Sequence, residues 1–295
     1  MRNLIGIYEK ALPAGIGWRE RLTLARKAGY DFLEISIDET DERLGRLEWD
    51  ARTRQALVDD IRASGTPILS MCFSGHRRFP LGSHDADIRT RALDLMEKAI
   101  DFAATVGIHV IQLAGYDVYY EASDDDTKRW FLQGLREAGR MAAARQVMLA
   151  MEIMDTPFIN SISRYLEYDA LLGSPWFTVY PDLGNLTAWG NDVEAELEKG
   201  FSRIVAVHVK DTLAVTDTFP GKFKEVPFGA GCVDFPKAFR KLKALGYAGP
   251  FLVEMWTEKA TDPMAEVVAA RQWLEEQLVT AGYDTDTGRP HTIGA

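Results

Sequence analysis

Four segments of the sequence end in residues that bind divalent cations: VMLAME reaches Glu152, FTVYPD reaches Asp182, IVAVH reaches His208 and FLVE reaches Glu254. Each is a short apolar run closed by a carboxylate or an imidazole. Taken singly, any of them reads as a solvated or capping acid, or as a core histidine with its hydrogen bonds satisfied. Taken together, three carboxylates and one imidazole make a hard, anionic site. It suits one divalent metal ion, Mn²⁺, Mg²⁺, Co²⁺ or Zn²⁺, and is unlike a cysteine-rich structural zinc site. Three acids converging on one point repel strongly without a cation, so the ion is an electrostatic requirement as well as a chemical one.

The elements that must bring these residues together are eight short β-rich runs, over 4–8, 32–37, 68–73, 110–114, 147–152, 177–182, 204–209 and 251–254. Most are continuous apolar stretches, as strands buried on both faces require. Helical patterns alternate with them, over 18–27, 51–63, 86–106, 124–144, 162–172, 193–199, 235–245 and 265–281. In the third of these, Ile88, Ala92, Leu95, Ala99 and Ala103 keep one apolar stripe. Gly29, Gly65, Gly107 and Gly246 stand where several of the helices stop. Eight βα units without a linker predict an α/β fold, a (β/α)8 TIM barrel forming one domain over residues 1–283. Residues 284–295 lack periodicity and are expected to form a loosely held tail. In such a barrel the C-terminal strand ends converge on one mouth, and the two longest strand-to-helix segments, 74–85 and 210–234, are the loops to examine there.

Composition narrows the function classes. Over 295 residues, 44 acidic against 34 basic side chains leave a net charge of −10, with 46% hydrophobic and 26% charged residues. That excludes disordered, collagen-like and membrane classes. The acidic balance, without a basic stripe, argues against nucleic acid as a partner while leaving a small phosphorylated substrate open. Charged residues interrupt the N-terminal MRNLIGIYEK before a signal sequence could form, and no long apolar run follows, so a cytoplasmic protein without a membrane partner is expected. The two cysteines, Cys72 and Cys232, lack metal-finger spacing and read as reduced, packed residues. No glycine cluster has phosphate-loop spacing.

The metal pattern of Glu152, Asp182, His208 and Glu254 resembles that of the xylose-isomerase-like TIM barrels, a likeness that runs from about residue 3 to 282. More specific are SGHRRFPLGS at 74–83, MEIMDTPFINS at 151–161, YPDLGNLTAWGND at 180–192, HVKDT at 208–212 and PGKFKEVPFGAGCVDF at 220–235. Together these are similar to the L-ribulose-5-phosphate (L-xylulose-5-phosphate) 3-epimerases. The resemblance implies an isomerase of pentose or L-ascorbate catabolism, acting on a small phosphorylated ketose and assembled as a homodimer. It implies that Glu152 and Glu254 are catalytic. Each would hold the metal with one carboxylate oxygen and exchange the C3 proton with the other, through an enediolate intermediate. Asp182 and His208 would anchor the ion.

A phosphate needs donors, and the long loops offer Ser74, His76, Arg77 and Arg78 in one and Lys222 and Lys224 in the other; a solvated basic loop is the alternative. Asn185 and Lys210 complete the candidate substrate-binding set, Lys210 either sensing a sugar oxygen or pairing with Asp211. Three contacts of the free-ketohexose epimerases fall on Phe158, Asn185 and Ala214, which favours a phosphate-anchored substrate. Five histidines in all, one of them His291 in the tail, are too few for the trinuclear zinc site of the endonuclease IV relatives. Trp189 and Trp256 either wall the pocket or pack under its loops; His109 reads as structural and His84 as a loop or cap residue. A hexulose-6-phosphate isomerase, an inosose-type dehydratase and a non-catalytic sugar-phosphate binder are the rival functions.

Overall fold

Strand β1 (Ile5–Tyr8) is buried along its whole length. It is followed by β2 (Phe32–Ile37), β3 (Ile68–Phe73), β4 (Val110–Ala114), β5 (Met148–Glu152), β6 (Phe177–Tyr180), β7 (Val207–Val209) and β8 (Phe251–Val253). All pair in parallel, in the spatial order β6-β5-β4-β3-β2-β1-β8-β7. Bridges between Val179 and Ile204 and between Asp182 and His208 join the two ends, so the sheet closes into the expected TIM barrel. The structure is a computed structural model and describes residues 2–284. The tail expected from 284 onward, with His291, lies outside the described residues except for Asp284.

Outside the strands run α1 (Trp18–Lys27), α2 (Ala51–Ser64), α3 (Ala86–Val106), α4 (Asp125–Arg145), α5 (Ile162–Leu172), α6 (Val193–Gly200), α7 (Phe235–Ala244) and α8 (Pro263–Thr280). Of the stripe read in α3, Ala92, Leu95, Ala99 and Ala103 are buried, and Ile88, in the first turn, is half-buried. From α2 onward each of these helices begins on a side chain that accepts a backbone N–H: Asp50, Asp85, Asp124, Ser161, Asp192, Asp234 and Asp262. Such a cap satisfies a donor that the helix cannot, and is worth about 1 kcal/mol. At the other end, Gly65 and Gly107 close α2 and α3 in the left-handed conformation, with φ of 67° and 89°. No helix among the described residues is long and apolar enough to cross a membrane.

Several boundaries differ from the sequence reading. Strand β6 stops at Tyr180 rather than at 182, because Pro181 has no N–H to continue the ladder. Strand β7 begins at Val207 rather than at 204, with Ile204 contributing only an isolated bridge. Two short helices were not expected. Asp41–Leu44 is capped by Thr40, and Leu183–Ala188 is capped by Asp182, whose Oδ1 accepts from the N–H of Asn185 at 2.8 Å. The segment 210–234 is tied back on itself by Asp211, whose Oδ2 accepts from the N–H groups of Gly229 and Gly231 at 2.9 Å each. A Cβ on residue 231 would meet Asp211 Oδ1 at 2.1 Å, so only glycine allows that approach.

Candidate metal centre and active site

The ends of β5 to β8 deliver Glu152, Asp182, His208 and Glu254 to one buried point, with a ligand atom of each within 4.8 Å of the others. His208 is at the middle. Its Nδ1 lies 3.0 Å from Glu152 Oε1, 3.7 Å from Glu254 Oε2 and 3.9 Å from Asp182 Oδ2. The opposite ring nitrogen, Nε2, lies 3.1 Å from Glu34 Oε1, inside the barrel on β2. A carboxylate only accepts, so each ring nitrogen turns a proton toward its acid: burial works against the charged imidazole, but Glu34 and Glu152 overcome it and raise its pKa, and Nδ1 is the nitrogen presented to the cluster. Glu34 is itself held by the hydroxyls of Ser70 and Tyr180 at 2.6 and 3.2 Å, and the Tyr180 ring packs on the imidazole, 4.4 Å between centroids.

The carboxylates are held equally firmly. Gln112 Nε2 donates to Glu152 Oε2. Asp182 Oδ1 is engaged as the helix cap, which turns Oδ2 toward the cluster. Asp182 Oδ2 and Glu254 Oε2 are buried acceptors without a well-aligned hydrogen bond, with the Lys210 ammonium 2.9 and 2.8 Å from them. Electrostatics shows the cost of this gathering. Burial pushes the Asp182 carboxyl up to about 7, with Lys210 opposing and the charges of Glu254 and Glu152 adding. Burial also raises Glu152, against the pull of His208. Burial works the same way on Glu254, but Lys210 and His208 overcome it and hold the acid at about 2. Three acids in one pocket, Glu152 and Asp182 resisting ionisation and Asp182 and Glu254 each keeping a buried oxygen without a well-aligned hydrogen bond, together with an imidazole nitrogen facing the same point, fit a divalent cation.

The remaining candidates separate in the structure. Arg77 donates from Nε to the Tyr116 hydroxyl at 2.8 Å and lies over the Tyr119 ring. Lys224 lies over the Trp256 ring at 5.3 Å, in the fields of Arg77, Glu254 and Lys210. Neither Arg77 nor Lys224 has an ion pair among the described residues. By contrast Arg78 is taken up by Asp41 at 2.6 Å, and Lys222 donates to the Glu225 carbonyl at 2.8 Å. Ser74 is buried, its N–H donating to the Ile37 carbonyl at 3.0 Å. His76 is turned inward. Its Nε2 lies 3.3 Å from the Ala92 carbonyl of α3, its ring packs on Phe73, and burial pushes its pKa down to about 4. A neutral, packed imidazole does not serve as a phosphate cation. Asn185 Nδ2 donates to the Ile153 carbonyl at 2.8 Å, tying the end of β5 to the short helix after β6.

Lys210 pairs with two of the metal-site acids, not with Asp211, whose oxygens are consumed by the loop N–H groups. A cavity of about 520 Å³ adjoins the centre, with Lys210, Glu254, Trp256, Phe228 and Trp273 in its wall, within the usual size of small-ligand sites. Trp256 is therefore a pocket wall. Trp189 instead donates from Nε1 to the Met154 carbonyl at 3.1 Å under the loops. His84 sits between Glu121 and Asp124, and His109 precedes β4, both away from the cluster. The sequence reading missed Glu34, whose one visible signal is an acid inside the apolar run FLEISI. Gln112, amid VIQLA, carries the same signal.

A family model described as xylose isomerase-like TIM barrel matches residues 22–277. Over 278 residues the chain is 57% identical to L-ribulose-5-phosphate 3-epimerase UlaE of Escherichia coli (strain SMS-3-5 / SECEC), spanning 94% of this chain and 96% of that protein. It is 56% identical, also over 278 residues and with the same two coverages, to UlaE of Salmonella heidelberg (strain SL476). The fold is similar to that of D-psicose 3-epimerase from Clostridium cellulolyticum H10, crystallised with D-tagatose. The TM-score is 0.77 at 16% identity, covering 93% of this chain and 99% of that one.

Proposed function

The chain belongs to the xylose isomerase-like TIM barrel family, and from that premise we propose that it interconverts L-ribulose 5-phosphate and L-xylulose 5-phosphate by proton transfer at C3. It is an isomerase acting on a carbohydrate phosphate, as its relatives are named. The observation that carries the reading is the setting of two glutamates about one imidazole, Glu152 at 3.0 Å and Glu254 at 3.7 Å from His208 Nδ1, each from a different strand.

Epimerisation breaks the C3–H bond α to the C2 ketone and remakes it on the opposite face of C3. One glutamate accepts the departing proton while the electron pair moves into the enediolate. The other delivers a proton from the far side, and the pair is reset by exchange with solvent. Gln112 holds Glu152, and Lys210 holds Glu254, so neither carboxylate has to reorganise during transfer. A divalent cation bound by Glu152, Asp182, His208 and Glu254 would offset the negative charge that develops on the substrate oxygens. Burial of all four residues keeps bulk water from the carbanion. Arg77 and Lys224, two long-loop cations without an ion pair among the described residues and each within reach of the other's charge, take the phosphate; Arg supplies a forked donor and Lys a point charge.

The reading extends to a cytoplasmic homodimer serving pentose or L-ascorbate catabolism; light scattering against the 33.0 kDa chain mass tests the dimer. Incubation of metal-loaded protein with L-ribulose 5-phosphate, followed by product NMR, tests the activity. L-xylulose 5-phosphate is expected, lost on chelation and restored by Mn²⁺. An aldose phosphate, a dehydrated product or no conversion contradicts it.

A further inference from the structure

Beyond Glu152 the chain leaves the barrel through the segment MDTPFIN, 154–160. Its backbone is pinned at its start and its end. Met154 N donates to the Ile159 carbonyl at 2.9 Å, and the Ile153 and Met154 carbonyls accept from Asn185 Nδ2 at 2.8 Å and Trp189 Nε1 at 3.1 Å. Within this fixed segment two side-chain atoms, Asp155 Oδ1 and Thr156 Oγ1, are buried and have no hydrogen-bond partner. Groups of this kind are costly to leave unpaired, and where they occur in a firmly held loop at a barrel mouth they point to a partner supplied from outside. The charge of Asp155 acts on Arg77, Lys224 and Tyr116, yet among the described residues no ion pair joins it to either cation.

We propose that Asp155 and Thr156 form a subsite for the C4 hydroxyl of a ketose 5-phosphate, a site that selects polyol phosphates over bare phosphate. The inference rests on the reading that C3 lies between Glu152 and Glu254 and that the phosphate lies at Arg77 and Lys224. Only one hydroxyl, that on C4, separates C3 from the phosphate-bearing C5. Asp155, three residues past Glu152 and in the fields of both cations, is placed on that span. Its carboxylate can only accept, so it accepts a hydrogen bond from the C4 hydroxyl, and the Thr156 hydroxyl can donate to the same sugar oxygen. Alone beside the phosphate cations, the negative charge of Asp155 is unfavourable, because it repels any phosphate that brings no hydroxyl to satisfy it. That repulsion is a selective element.

The test compares metal-loaded wild type, Asp155→Asn and Thr156→Val, titrated with inorganic phosphate and assayed with L-ribulose 5-phosphate and its 4-deoxy analogue. Asp155→Asn is expected to bind inorganic phosphate several-fold more tightly, because a like charge has gone. It is also expected to lose about 10- to 100-fold in kcat/KM for L-ribulose 5-phosphate, mainly through KM, as a charge-assisted hydrogen bond is removed. Thr156→Val loses about 10-fold. Wild type discriminates against the 4-deoxy analogue, and Asp155→Asn no longer does. The proposal is overturned if Asp155→Asn weakens inorganic phosphate and the sugar phosphate alike, which would mean that Asp155 only positions the cations. It is overturned equally if wild type and variant lose the same factor on the 4-deoxy analogue. The crossed pattern seen in equilibrium binding without turnover supports the subsite and overturns the epimerase reading.

Discussion

Glu34 Oε1 lies 3.1 Å from His208 Nε2, inside the barrel and 174 residues away in the sequence. This contact fixes which nitrogen of the histidine faces Glu152, Asp182 and Glu254, and it increases the electron density available at that nitrogen. Glu34→Gln keeps the shape and removes the charge. It is expected to weaken binding of a divalent cation about 10- to 100-fold, read by competition with a chromogenic chelator. An affinity equal to that of wild type would show that Glu34 does not tune the histidine.

Under the proposed mechanism, Glu152→Gln and Glu254→Gln each remove one of the two acids that exchange the C3 proton. Each is expected to lower kcat about 10²- to 10⁴-fold at saturating metal. Steady-state assay over a range of Mn²⁺ concentrations separates this loss from weaker metal binding. Turnover that survives undiminished in both variants would show that these two acids are not the groups that exchange the C3 proton; no turnover in wild type either would favour the non-catalytic sugar-phosphate binder.

Charge deletion at the mouth is expected to divide the basic residues into two pairs. Arg77→Met and Lys224→Met raise KM for L-ribulose 5-phosphate about 10- to 100-fold, with kcat much less affected. Arg78→Met and Lys222→Met, held at the surface by Asp41 and by the Glu225 carbonyl, change KM by less than about threefold. Equal effects at all four positions would mean that the phosphate is held by diffuse charge.

His76 gives a pH dependence of stability. Its folded pKa of about 4 lies below the unfolded value, so between the two the unfolded chain takes up a proton that the folded chain does not. Stability is therefore whole above about pH 6.5, falls as pH drops, and levels off below about pH 4. Urea unfolding at pH 7.5 and pH 5 is expected to cost wild type about 2 kcal/mol more than it costs His76→Phe. Equal losses in the two proteins would place the imidazole in contact with solvent.

The barrel was legible because its signals are local. Continuous apolar runs marked the strands, and Gly65 and Gly107 marked helix ends through a left-handed conformation that other residues adopt reluctantly. The convergence of the four candidate ligands, Glu152, Asp182, His208 and Glu254, was legible because strand ends converge in any barrel of this kind. The short helix Leu183–Ala188 was not, since LGNLTA has weak helical character and forms because Asp182 caps it and because it packs at the mouth. A Cβ on Gly184 would meet the Lys210 carbonyl at 2.6 Å, an approach no periodicity reveals. Glu34 escaped because its partner is distant in sequence. His76 misled because a basic motif, SGHRRF, shows which residues can bind phosphate but not which way each one faces.

The most direct test of the account follows hydrogen at C3. Metal-loaded protein is mixed with L-ribulose 5-phosphate in D₂O and followed by proton NMR, with a chelated sample alongside. Deuterium is expected at C3 in step with the appearance of L-xylulose 5-phosphate, and neither event after chelation. Deuterium entering at C1, or no exchange at C3 with metal bound, would contradict it.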